Sequence, residues 1–258
     1  MQIGISLNFK TQTTDGKYYL RLFQEYVRFE PKLILVKTFG GKWKQYNWKP
    51  EKHLKIIEQC DENTCIIVGF NGGGEFNSSD TFSDAPHRSI SITQSDKNID
   101  LKEIDLGGDI KKTGFVSAYV YDADYEKVQS TKFANNLDGL GMSDEILSTI
   151  ENTPYEIEHP TGFKIYDISH NPGRSELIGY TWLMPAWKMW FGPGFYHLVP
   201  KDRIVAFPDA FEINELEDDI IYVNLFEKAE DSWRKENMEK QWAWRNWLDF
   251  ERLVEQYP

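Results

Sequence analysis

"IGISLNFKTQTTDGKYYLRLFQEYVRFEP", residues 3–31, sets the frame for the rest of the chain. Ile3, Ile5, Leu7 and Phe9 alternate with smaller or polar residues, the period of two expected of a strand with one buried face. Asp15 then offers a helix cap, Tyr19, Leu22, Phe23, Tyr26 and Val27 recur at helical spacing, and Pro31 supplies a stop. "KLILVKTF" (32–39) and "TCIIVGF" (64–70) read as strands on either side of a short helix at "PEKHLKIIEQ" (50–59). The chain therefore opens as β-α-β-α-β.

Beyond this opening, "RSISITQ" (88–94) and "GFVSAYVY" (114–121) read as strands with no long helix between them. Ser143 caps a helical pattern in "SDEILSTIEN" (143–152), and "YEIEHPTGFKIYDI" (155–168) suggests a hairpin around Pro160 and Gly162. "ELIGYTWLM" (176–184), "DRIVAF" (202–207) and "DDIIYVNLF" (218–226) are strand candidates. A last helix fills roughly 231–256. Around its axis Trp233, Trp244, Trp247, Leu248 and Val254 share one side while Met238, Trp242 and Leu253 fall almost opposite. Such a helix is sandwiched between layers, or shows one side to a partner or to solvent. No repeat or linker divides these blocks, so residues 1–258 read as a single α+β domain with a mixed β-sheet and a long C-terminal helix.

The 258 residues are 40% hydrophobic and 27% charged, which suits a globular chain and argues against disorder. No run approaches the ~18 to 20 apolar residues of a membrane span. The N-terminal stretch lacks the features of a secretory signal, so a cytoplasmic location is expected. Net charge is −12 and unevenly spread, with +6 in residues 1–60 and −18 in the remainder. An acidic bulk favours basic partners and repels nucleic acid.

Several stretches hold chemistry-bearing side chains. Cys60 and Cys65 in "CDENTC" have no second pair to complete a zinc site and read as ordinary thiols beside a turn. The glycines of "IIVGFNGGGEFNSSD" (66–80) lack both phosphate-loop spacings, which leaves a flexible turn. Asp80, Asp84 and His87 could form a metal-dependent hydrolase site only if their loop curls inward. A solvated turn is the simpler reading. In "KTFGGKWKQYNWKPEKHLK" (37–55) lysines interleave with Trp43, Tyr46 and Trp48, the composition of a single-stranded nucleic acid binder and equally of lysines over a surface aromatic cluster. No catalytic residue, cofactor or metal ligand is assigned.

"WLMPAWKMWFGPGFYHLVP" (182–200) is apolar but broken by Pro185, Pro193 and Gly194, so a strand ending near Met184 and an irregular connection are expected. Irregular backbone is rarely buried, which places part of Trp187, Lys188 and Trp190 at the surface. Beside them the acidic run "DAFEINELEDD" (209–219) supplies Glu215, Glu217, Asp218 and Asp219. Trp187, Trp190 and these four carboxylates make the candidate partner-binding site, an aromatic patch in an acidic rim.

Three stretches, "YYLRLFQEYVRFEPKL" (18–33), "GFVSAYVYDADYEKVQS" (114–130) and "ELIGYTWLMP" (176–185), resemble in order and spacing the immunity protein 52 family of bacterial polymorphic toxin systems. The resemblance implies a cytosolic antidote that binds and neutralises a cognate toxin, possibly a nuclease with a basic surface. It departs from the family's pattern in the tryptophan-dense 182–190 segment and the aromatic C-terminal helix.

Overall fold

The computed structural model describes residues 1–10, 13–38, 40–61, 64–70, 74–79, 87–98, 104, 106–132, 154–156, 164–178 and 181–257. In chain order the first half comprises β1 (Gln2–Lys10), α1 (Gly16–Tyr26), β2 (Leu33–Thr38), β3 (Lys44–Asn47), α2 (Pro50–Glu58), β4 (Thr64–Phe70), β5 (Gly74–Ser79), β6 (His87–Ser95), α3 (Gly107–Ile110), β7 (Phe115–Asp122) and α4 (Ala123–Ser130). The second half holds β8 (Pro154–Glu156), β9 (Lys164–Tyr166), β10 (Glu176–Ile178), β11 (Thr181–Leu183), β12 (Lys188–Phe191), α5 (Lys201–Val205), β13 (Glu212–Leu216), β14 (Ile220–Asn224), α6 (Lys235–Leu248) and α7 (Phe250–Gln256).

Ten strands form one sheet in the order β13-β14-β12-β7-β1-β6-β5-β4-β2-β3, and the pairs β8–β9 and β10–β11 form separate ribbons. Both halves of the chain enter the same sheet and share one apolar core, so the α+β architecture is a single domain. Every described pairing is antiparallel, which corrects the expected mixed sheet. The β-α-β opening exists, and β1 and β2 do run the same way. Three strands, β6, β5 and β4, lie between them, so the crossover through α1 creates no adjacent parallel pair.

The alternation of β1 decides what covers each face. On the first face, register places Ile5, Ile92, Phe76, Val68 and Ile34 side by side across five strands, all almost wholly buried. α1 lies on this row, with Phe23 edge-on to Phe76 at 5.4 Å and Tyr18 edge-on to Phe9 at the same separation. Its start is fixed as the sequence indicates, the Asp15 carboxylate accepting from the Tyr18 N–H at 2.9 Å. Arg88, also on this face and only 2% exposed, donates to the Tyr19 hydroxyl and to the Asp61 and Thr64 carbonyls.

On the second face the corresponding row reads Ile213, Val223, Met189, Tyr119, Ser6, Ser91, Asn77. Its apolar half is covered by the C-terminal region, where Trp244 stacks on Phe191 and meets Phe207 edge-on. The two helical layers thus sit on opposite faces at opposite ends of the sheet. The expected long C-terminal helix is two shorter ones: Asp249 adopts a left-handed φ of 61° and ends α6 after fourteen residues, and α7 adds seven. Trp244 and Leu248 are buried while Trp247 is 37% exposed.

Two other expectations give way. "DRIVAF", read as a strand, is α5, which follows directly on Pro200, a residue suited to a helix start. "ELIGYTWLM", read as one strand, is the ribbon β10–β11. Around 155–168 the antiparallel pair β8–β9 supplies the two strands of the expected hairpin, whereas its turn at Pro160 and Gly162 and the helix expected at 143–152 lie outside the described residues.

α6, α7 and β10 are joined by a compact ion cluster. Arg174 and Arg245, 3% and 1% exposed, share the Glu176 and Glu251 carboxylates. Glu251→Gln leaves two buried guanidinium groups on Glu176 alone and is expected to lower the urea unfolding midpoint, whereas Arg245→Met combined with Glu251→Gln removes one charge of each sign and should lower it by less than the two single losses added.

Asp122 provides a pH-dependent element. Its Oδ1 accepts the Asp124 and Tyr125 N–H groups at 3.0 Å, capping α4, while burial pushes its carboxyl up to about 7. The folded chain therefore holds a proton that the unfolded chain, with an ordinary carboxyl, has already released. Stability from this group is present at low pH and is lost as pH rises from about 4 to about 7. Asp122→Asn keeps the accepting oxygen and cannot ionise. In urea titrations over pH 4 to 8, the variant is expected to lack this fall and to exceed the wild type above pH 7; parallel curves for the two proteins would refute the assignment.

Candidate functional site

The carboxylates singled out in the sequence meet on the β13–β14 hairpin at one edge of the sheet. Glu212 and Glu215 lie on β13, and Glu217, Asp218 and Asp219 form the turn into β14. All five are exposed, as is Asp209 just before the strand. Asp218 and Asp219 both have φ of 59°, a left-handed conformation that Asp and Asn tolerate better than most residues. Two lysines offset part of the charge. Lys111 reaches Glu217 at 3.0 Å and Asp218 at 3.8 Å, which holds the Glu217 carboxyl below its ordinary range. Lys201 bridges Asp219 and Glu215, and these partners raise its own pKa. Six carboxylates against two lysines leave the hairpin strongly negative.

The aromatic half of the expected site is elsewhere. Trp187 and Trp190 are each 6% exposed, so neither lies at the surface. Residues Lys188–Phe191 form β12, a central strand between β7 and β14, rather than an irregular connection. Pro185 and Pro193 lie outside these four residues and remove none of their ladder hydrogen bonds. Trp190 sits between Ala118 and Tyr222, its ring 5.2 Å from the Tyr222 ring, and the small Ala118 leaves room for the indole. Trp187 donates through Nε1 to the Glu227 carbonyl, and the Lys188 ammonium lies over its ring. Most of the loop that follows is buried as well, with Pro193 and His197 exposed, because local turns satisfy its backbone, for example Phe195 N–H to Gly192 and Leu198 N–H to Phe195.

What the acidic hairpin does carry is a different pair of apolar side chains. Phe211 and Leu216, 56% and 40% exposed, flank β13 at its two ends. The sequence signal was available, since both lie inside the acidic run itself, "FEINEL". An apolar residue among carboxylates was harder to notice than a cluster of tryptophans.

The opposite edge of the sheet is β3, exposed at all four positions. Trp43 and Tyr46 are 42% and 37% exposed there, and Lys37 and Lys52 lie over their rings at 5.9 and 5.2 Å. A stacking base would have to displace those ammonium groups. Trp48 packs inward against Phe23 and His53.

Asp80 and Asp84 lie outside the described residues, and of His87 only the backbone, at the start of β6, is described. Among the described residues no group of three or more His, Cys, Asp or Glu is placed to hold a metal ion. The glycine-rich stretch contributes β5 to the sheet, with Gly74 against the Phe29 ring. Cys60 and Cys65 are free thiols; burial pushes Cys60 up to about 12, which leaves it a poor nucleophile. No described helix is long and apolar enough to cross a membrane.

Comparison with protein-family models, with curated proteins and with solved structures finds no match to this chain.

The buried position of Trp190 has a direct consequence for stability. Trp190→Ala is expected to cost about 3–5 kcal/mol in urea unfolding, the range for a large aromatic removed from a core. Glu217→Gln, at an exposed pair, should leave the midpoint within error. A Trp190→Ala protein as stable as the wild type would return this side chain to the surface.

Proposed function

We propose that this chain acts by binding rather than by catalysis, as an immunity protein that neutralises a basic bacterial toxin through the acidic edge of its sheet. The observation that carries this reading is the β13 edge: an outermost strand, lined by Glu212, Glu215, Glu217, Asp218 and Asp219, with Phe211 and Leu216 exposed at its ends. An edge strand offers unpaired backbone donors and acceptors, to which an extended segment of a partner can add. Apolar anchors in a charged rim are the composition of protein-binding patches. The negative field steers a basic surface toward that edge and suits a toxin that must itself approach nucleic acid. The three stretches that resemble the immunity protein 52 family support the same reading.

The test is protection from, and binding to, the toxin domain encoded beside this chain's gene. Co-expression is expected to restore growth of cells making that toxin. Replacing Glu215 and Glu217 by Gln and Asp218 and Asp219 by Asn removes charge and keeps side chains that suit the left-handed turn. This variant should bind the toxin at least ~10-fold more weakly, chiefly through slower association at low salt, and Phe211→Ala should shorten the lifetime of the complex. Growth that is not restored, or an affinity indifferent to all five substitutions, defeats the proposal.

A further inference from the structure

The second face of the sheet changes character midway along one cross-strand row. From β14 to β7 the row is Val223, Met189, Tyr119; from β1 to β5 it continues as Ser6, Ser91, Asn77. The next row adds Asn8 beside Ser89. α4 and β11 pack over β1, and beside them a cleft of about 230 Å³ opens over the polar positions of β1, β6 and β5. Its floor is Ser6, Ser89, Ser91 and Asn77, and its wall is Glu126, Trp182 and Tyr121.

Three features distinguish this cleft from a solvated sheet surface. First, its wall is built. Glu126 Oε1 accepts the Ser130 hydroxyl at 2.7 Å and the Ser175 hydroxyl at 2.6 Å, which fixes the carboxylate and leaves Oε2 unused by the described residues. Tyr121 lies flat enough over Gly4 that a Cβ there would meet its ring at 2.3 Å, so the absence of a side chain at position 4 seats the ring. Second, the Asn77 Oδ1 is buried and has no hydrogen-bond partner among the described residues, an acceptor left without a donor on the cleft floor. Third, the described residues that line it include the Glu126 carboxylate and no lysine or arginine. Against that lining a phosphate or carboxylate meets a like charge, so anionic ligands are disfavoured.

We propose that this cleft binds a neutral sugar ring. Hydroxyls that both donate and accept face side chains that do the same, and neighbouring polar positions lie about 5 Å apart across strands, comparable with the width of a pyranose. The Trp182 indole and the Tyr121 ring supply apolar surface for the C–H face of the sugar. The volume lies below the roughly 300–1,000 Å³ of sites for drug-sized ligands and suits a single ring. This site lies on the sheet face around β1, β6 and β5, away from the β13 edge, and its existence is independent of the toxin-binding reading.

The test uses the full chain, with D-glucose, D-galactose, D-mannose and N-acetyl-D-glucosamine as probes and inorganic phosphate as the anionic control. Amide chemical shifts and tryptophan fluorescence are followed up to 20 mM of each probe. At least one sugar should bind saturably with a Kd of about 1 mM, the level expected of a ligand with few non-hydrogen atoms, while phosphate does not. Ser91→Val suits a strand and fills the floor; it should weaken that binding at least ~10-fold with an unchanged unfolding midpoint. Should Ser91→Val not fold, Glu126→Gln serves instead, since it keeps an oxygen for both serines and is expected to weaken binding several-fold. No saturable response to any sugar, stronger binding of phosphate, or sugar binding unaltered in a folded variant overturns the assignment.

Discussion

β1 is bordered by strands on both sides and by packed side chains on both faces, and this double burial constrains everything around it. Ile3, Ile5, Leu7 and Phe9 can point only toward α1, and Gly4, Ser6 and Asn8 only toward the opposite layer. A register slip of one residue would set Asn8 and Ser6 against the aromatic underside of α1 and turn four large apolar side chains onto a polar floor. The sheet is thereby locked at its centre, and the helical layers follow: one over the apolar row of β1, β6, β5, β4 and β2, the other over the apolar row of β7, β12 and β14.

Much of this could be read from the chain because it is written locally. The strand in "IGISLNF" and the Asp15 cap depend on neighbours in sequence, and both are present, although the alternation promised one buried face and packing buries both. What could not be read depends on distant neighbours. Nothing within 182–200 reveals that "KMWF" will be flanked by Ala118 on one side and Tyr222 on the other, and that partnership is what buries Trp190. The rule that irregular backbone stays at the surface holds within 192–199 only for Pro193 and His197; at most of the other positions tight turns satisfy the amides locally and the side chains are buried. "DRIVAF" carries the composition of a strand, but the proline before it and its brevity left it as one turn of helix. The antiparallel character of the sheet was hidden for a related reason: a β-α-β order in sequence does not specify how many strands are later inserted between its two ends.

The candidate site divides along the same line. The exposure of Glu215, Glu217, Asp218 and Asp219 was legible, since a run of carboxylates has nowhere else to go without partners. The aromatic component was assigned to the wrong residues because tryptophan content says little about which indole is covered. Phe211 and Leu216 hold the exposed apolar positions, on a strand whose far side has no neighbour among the described residues.

The two edges of the sheet also differ in sign. Nine strand spacings of about 4.8 Å separate β13 from β3, so a cluster of carboxylates and a cluster of lysines face away from each other across roughly 43 Å. Among the described residues, these two clusters contribute a dipole component directed across the strands. In the field of any charged body the molecule experiences a torque as well as a force, and it turns before it touches. An anionic surface meets the β3 side first and a cationic one the β13 side.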